Sequence, residues 1–234
     1  KWGVKRPNGI LLYGPAGTGK TTLVEAFANE IGSVVWKIDS SEIVSKWLGQ
    51  SQKNLRALFD QARAITEPTI MFFDEFDSII QDPQNANDGA SRERQATAGM
   101  FKQELETLSK TCPHIILVAA TNYPDRISDS VKRSGRFDKK IYVSLPNEDD
   151  RVEIFSIKIA NISNKLTTEE FSPIADDINT RELSLASDGF SGADITTLFE
   201  SLLHKKAVTE SRTGESTPVT HQEIMFAIQQ MRQQ

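Results

Sequence analysis

Residues 14–21 read Gly-Pro-Ala-Gly-Thr-Gly-Lys-Thr, between a short apolar run at 10–13 and a helical pattern that begins near Lys20. A strand that must turn into a helix through three closely spaced glycines has few structural solutions. The glycines let backbone N–H groups converge on one anion, and the following helix aims its positive end at the same point. In a G-x-x-x-x-G-K-[ST] loop the lysine reaches the β- and γ-phosphates of a nucleotide and the hydroxyl binds Mg²⁺. The candidate ATP ligands are therefore Pro15, Ala16, Gly17, Thr18, Gly19, Lys20, Thr21 and Thr22, with Thr21 also a candidate metal ligand. An ordinary glycine-rich turn would not need this strand–loop–helix setting.

The hydrophobic pattern around the loop sets the fold class. Short apolar runs at 10–13, 34–38, 70–73, 115–119 and 140–144 alternate with helical periodicity. The first helix has Leu23, Ala26, Phe27 and Ile31 on one face, the second has Leu55, Leu58, Phe59, Ala62 and Ile65, and a third passes through Phe101, Leu105 and Leu108. This alternation predicts a doubly wound α/β fold with a five-stranded parallel sheet. Residues 82–91, rich in Asn, Asp and Gly, have the composition of a mobile loop. Beyond Pro146-Asn147 strand signals stop. The helical faces Ile195, Leu198, Phe199, Leu202, Leu203 and Ile224, Ala227, Ile228, Met231 remain, with Ser191 and Asp194 as a capping-box-like start. The expected division is a large α/β domain over 1–147 and a small all-helical lid over 148–234.

Composition narrows the function classes. The 234 residues carry a net charge of -5, against a general nucleic-acid binder. One cysteine, Cys112, permits no internal disulfide, which suits the cytoplasm or another reducing compartment. The scattered His114, His204 and His221 lack metal-ligand spacing. No apolar run approaches the ~20 residues of a membrane span. The chain begins at Lys1 close to its first strand, so the reading is a fragment, with any membrane tether in missing flanks.

A second pair of acids completes a hydrolytic site. Asp74 and Glu75 follow the apolar run 70–73, and ligands of open α/β sheets bind at the carboxyl ends of strands. Asp74 is placed to hold the Mg²⁺ shell, and Glu75 to polarise a water for attack on a γ-phosphate. Asp77 reads as a cap of the next segment.

Five ordered motifs now resemble the AAA family of ring ATPases: 9–21, Phe72-Phe-Asp-Glu-Phe-Asp77, Ala120-Thr-Asn122, Ser134-Gly-Arg-Phe-Asp138 and Gly189-Phe-Ser-Gly-Ala-Asp194. The resemblance spans essentially the whole chain. It implies that Asn122 senses the γ-phosphate and that Arg133 and Arg136 reach a neighbouring subunit's nucleotide as arginine fingers. It implies that Lys46-Trp47-Leu48-Gly49 is a central-pore loop gripping an extended polypeptide, with 82–91 as a second. Gly192 and Ala193 would lie near the adenine and ribose. Ala16 departs from the usual second proline, and Lys158 stands where some segregase-type members carry a base-contacting histidine.

The resemblance implies a hexameric homo-oligomer that binds ATP and Mg²⁺, acts on polypeptides, accepts adaptor proteins and binds no nucleic acid directly. The loop sequence is similar to the group containing katanin, spastin, the endosomal-sorting disassembly ATPase and the membrane-protein extractases, and nearly as similar to the segregases. Two other readings stay open: the motor half of an ATP-dependent protease, and a nucleic-acid loader or nucleotide-switched scaffold.

Overall fold

In the computed structural model, residues 7–38, 51–79, 89–127, 137–168 and 171–233 are described. They contain the strands β1 (Gly9–Tyr13), β2 (Val34–Ile38), β3 (Thr69–Phe73), β4 (Ile115–Thr121) and β5 (Lys139–Tyr142). Their helices, labelled in chain order, are α1 (Lys20–Ile31), α2 (Ser51–Ala64), α3 (Gly89–Thr111), α4 (Glu148–Leu166), α5 (Thr180–Ala186), α6 (Gly192–Thr213) and α7 (His221–Arg232). Contacts divide the chain at Val143/Ser144 into two compact units, and Ala16–Thr18 group with the second.

The first unit is a five-stranded sheet in the order β2-β3-β4-β1-β5, with every pair parallel. Alternate residues of a strand face opposite sides, so each central strand feeds two cores. Leu11, Met71, Phe73, Leu117 and Ala119 join Leu55, Phe59, Phe101 and Leu105 of α2 and α3. Leu12, Ile70, Phe72, Val118 and Ala120 join Val24 and Ala28 of α1. Helices thus cover both faces, as the continuous apolar runs required.

Two local expectations change. α1 packs through Val24 and Ala28, while Leu23, Phe27 and Ile31 are 45%, 39% and 42% exposed. The helix carries two adjoining apolar stripes, and the sheet takes the one with the smaller side chains. Secondly, α3 begins at Gly89, inside the segment expected to be loop, so Gly89, Ala90 and Ser91 are helical. The rest of 82–91 lies outside the described residues.

The second unit has its own core, built by Phe155, Leu183, Ile195, Leu198, Phe199, Ile224 and Ile228. Three of its helices start at reciprocal capping boxes: Asn147 with Asp150, Ser191 with Asp194, and Thr220 with Glu223. Arg151, only 4% exposed, donates to the Pro146 and Ser184 carbonyls and pairs with Asp188. Its guanidinium thereby satisfies the segment entering α4 and the end of α5. Lys206 pairs with Glu223 between α6 and α7 and holds that carboxylate below the ordinary range, although burial alone would raise it.

Candidate functional site

The glycine loop joins β1 to α1 and needs its glycines for distinct reasons. Gly14 has φ +151, and a Cβ there would fall on the Val143 carbonyl beside β1. Gly19, at φ +82, is the left-handed residue that opens α1 and supplies no side-chain cap. The first-turn N–H groups of α1 therefore have no side-chain partner from Gly19, and such groups suit an anion.

Lys20 is 8% exposed, and its Nζ donates to the carbonyl oxygens of Gly14 (3.0 Å) and Pro15 (2.7 Å). Burial pushes its pKa below the ordinary lysine value, and the nearby Asp74 carboxylate opposes that shift. Thr21 donates through Oγ1 to Asp74 Oδ2 at 3.0 Å. The parallel sheet thus brings together two residues 53 positions apart. Pro15, Ala16, Gly17, Thr18 and Thr22 lie in the same loop and first turn. Lys37, which the sequence reading passed over, lies 3.4 Å from Asp74 Oδ2. The register could have revealed it: Lys37 pairs with Phe72, two residues before Asp74 and so on the same face.

Glu75 is exposed at φ 48 and ψ 45, the sole positive-φ non-glycine among the described residues. Its N–H donates to Asp74 Oδ1 at 3.0 Å. A left-handed residue costs roughly 1–2 kcal/mol, and here it carries the chain from β3 into the turn Phe76–Ser78. Asn122 is the exposed residue just beyond β4. Ala193 N–H donates to the Gly17 carbonyl at 3.2 Å, and a Cβ on Gly192 would also meet that oxygen at 3.5 Å. Lys46, Trp47, Leu48, Arg133 and Arg136 lie outside the described residues.

The residues present fit magnesium, a hard cation that takes oxygen ligands. A hydroxyl and a carboxylate stand together at Thr21 and Asp74. Among the described residues no group of three or more His, Cys, Asp or Glu could hold a metal ion. Magnesium does not require such a group, because one or two carboxylates plus substrate phosphates suffice.

A glycine loop opening a helix at the carboxyl edge of a parallel sheet, with a lysine, a hydroxyl and an acid beside it, defines a P-loop nucleotide-binding domain. The profile of the ATPase family associated with various cellular activities (AAA) matches residues 10–145. The chain is similar to the Cell division cycle protein 48 homolog of Archaeoglobus fulgidus, 38% identical over 192 residues, 82% of this chain and 24% of that protein. It is 37% identical over 200 residues to Protein SAV of Sulfolobus acidocaldarius, covering 85% of this chain and 24% of that protein. The ATP-dependent zinc metalloprotease FtsH 4 of Sphaerobacter thermophilus is 37% identical over 198 residues, 84% of this chain and 28% of that protein. The chain belongs to the AAA family and is an ATP-hydrolysing domain that uses ATP with Mg²⁺. It spans about a quarter of the length of these relatives. Among the described residues, no helix is long and apolar enough to cross a membrane.

Proposed function

We propose that the chain is the motor domain of a hexameric ring that remodels, unfolds or extracts proteins by drawing a polypeptide through its central pore. The observation that carries the motor reading is the meeting of Lys20, Thr21 and Asp74 at one sheet edge. Residues 1–147 act as the nucleotide-binding domain and 148–234 as the lid. In the bound state Lys20 exchanges its contacts with the Gly14 and Pro15 carbonyls for the β- and γ-phosphates. Thr21 and Asp74 hold the Mg²⁺ shell. Magnesium supplies neutralisation of phosphate charge. Glu75 accepts a hydrogen bond from the attacking water and takes up its proton, and Asn122 orients that water against the γ-phosphate. Gly192 and Ala193 approach the nucleoside, their small size permitting close contact. Arg133 and Arg136 serve a neighbouring subunit's site, spreading the charge that develops on the transferred phosphoryl group.

Lys46, Trp47 and Leu48 grip the substrate. A flat tryptophan buries a large area at low rotamer cost and needs no particular sequence opposite it. The proposed setting is cytoplasmic or another reducing compartment, with adaptors and any membrane tether supplied by parts of the protein outside this chain. A second reading, the motor half of an ATP-dependent protease, is favoured by the similarity to a protein named as a zinc metalloprotease.

The test uses the full-length protein and two variants. Trp47→Ala is expected to bind and hydrolyse ATP while losing unfolding of a fluorescent reporter protein. Glu75→Gln is expected to retain ATP while losing about 10²–10⁴-fold in turnover. Normal reporter unfolding by Trp47→Ala would remove the pore reading and leave the nucleotide chemistry standing.

A further inference from the structure

Asp77 is 7% exposed and Thr121 1%. Thr121 Oγ1 donates to Asp77 Oδ1 at 2.6 Å, across 44 residues of sequence. The same Thr121 oxygen accepts from the Tyr123 N–H at 2.9 Å. A buried carboxylate needs such a partner, and an O–H···O⁻ bond of this length is among the stronger protein hydrogen bonds. The second carboxylate oxygen lies 3.9 Å from Arg126 Nη1, and that guanidinium sits 3.9 Å over the Tyr123 ring.

The placement of these bonds gives them meaning. Asp77 belongs to the 3-10 turn Phe76–Ser78, whose N-cap is Glu75; Ser78 N–H donates to the Glu75 carbonyl at 2.9 Å. Thr121 ends β4, and its hydroxyl ties together the residues on either side of Asn122. The ladder pairs Phe73 with Ala119, and β4 runs two residues further to Thr121, so the turn that follows β3 lies beside the end of β4. One buried bond therefore joins the turn carrying Glu75 to the turn carrying Asn122.

We propose that Asp77 and Thr121 are positioning residues for ATP hydrolysis, holding Glu75 and Asn122 at a fixed mutual geometry so that both act on the same water. This rests on the roles proposed above for Glu75 and Asn122. Both Asp77 and Thr121 are buried and act through Glu75 and Asn122. Their contribution is to turnover and not to nucleotide affinity. A misplacement of about 1 Å at a reacting group costs on the order of 10²-fold in rate, and a bridge between two loops is where such a shift would start.

The experiment measures kcat for ATP, affinity for a fluorescent ADP analogue and thermal unfolding in the full-length protein. Thr121→Val, which keeps shape and removes the hydroxyl, is expected to lower kcat by about 10–100-fold with ADP affinity within about twofold. Thr121→Ser, which restores the hydroxyl, is expected to recover the parent rate to within about threefold. Asp77→Ala and the double variant Asp77→Ala/Thr121→Val should be no slower than Thr121→Val alone, because each breaks the same Asp77–Thr121 link between the two turns. The proposal is overturned if Thr121→Val turns over within about twofold of the parent, if its loss lies wholly in nucleotide affinity, or if the two single losses multiply. Should Asp77→Ala not fold, the comparison of Thr121→Val with Thr121→Ser decides alone. Glu75→Gln is run beside them. If it stops hydrolysis while Thr121→Val does not, the positioning role alone fails; if Glu75→Gln hydrolyses like the parent, the catalytic assignment itself fails.

Discussion

The centre and the edges of one sheet behave differently. Every residue of β3 is buried, and β4 is nearly so, whereas all four residues of β5 are exposed and only Ile38 of β2 is buried. A strand clamped on both faces delivers its last residue to a fixed point. The turns after β3 and β4 accordingly carry Asp74, Glu75 and Asn122, and a buried bond locks those turns together. The edge strands do other work. Lys139 and Lys140 place charge along β5, which discourages pairing with another chain, and Lys37 of β2 lends its charge to Asp74. The proposed chemistry sits where packing is densest, and the exposed rim is expected to tolerate change.

Three substitutions sharpen or break this contrast. The largest effect is expected for Phe76→Ala. The ring is fully buried beside Glu75 and packs on Phe137 at 4.9 Å and on Phe73 and Phe101 at 6.0 Å. Its loss should cost about 3–5 kcal/mol in urea unfolding, and a cost below ~1 kcal/mol would mean the central turn is not held by packing. Gly19→Ala should cost roughly 1–2 kcal/mol. At φ +82 with nothing within 4 Å of a Cβ, backbone strain is the only penalty, so a much larger loss would point to crowding that this geometry lacks. Lys140→Thr on exposed β5 should stay within about 0.5 kcal/mol. A larger shift in its urea midpoint would show that the edge is as tightly specified as the centre.

Much of this was legible in the sequence because it is written locally. The loop 14–21, the apolar run ahead of Asp74 and the capping pair Ser191/Asp194 each lie within a few residues. The features that stayed hidden depend on partners far along the chain. Asp77 reads as a cap until its partner Thr121 is brought beside it by parallel pairing. The outward stripe of Leu23, Phe27 and Ile31 looks like a core face because periodicity cannot tell which of two apolar stripes the sheet will take. The helix α4 announced itself through Asn147 and Asp150, a cap the sequence reading did not use. Buried Arg151 is hard to read locally, since apart from the Pro146 carbonyl its acceptors at Ser184 and Asp188 lie across the second unit.

The proposed motor depends most on a nucleotide clasped by Lys20 with its metal at Thr21 and Asp74. Calorimetric titration of the full-length protein with ATP, with and without Mg²⁺, tests this directly when Lys20→Ala is titrated beside the parent. The parent should bind more tightly with Mg²⁺ present, and Lys20→Ala should lose at least about 1.5–3 kcal/mol of that affinity, as expected for a charge-assisted contact. Equal binding by Lys20→Ala, or an affinity indifferent to Mg²⁺, would contradict it.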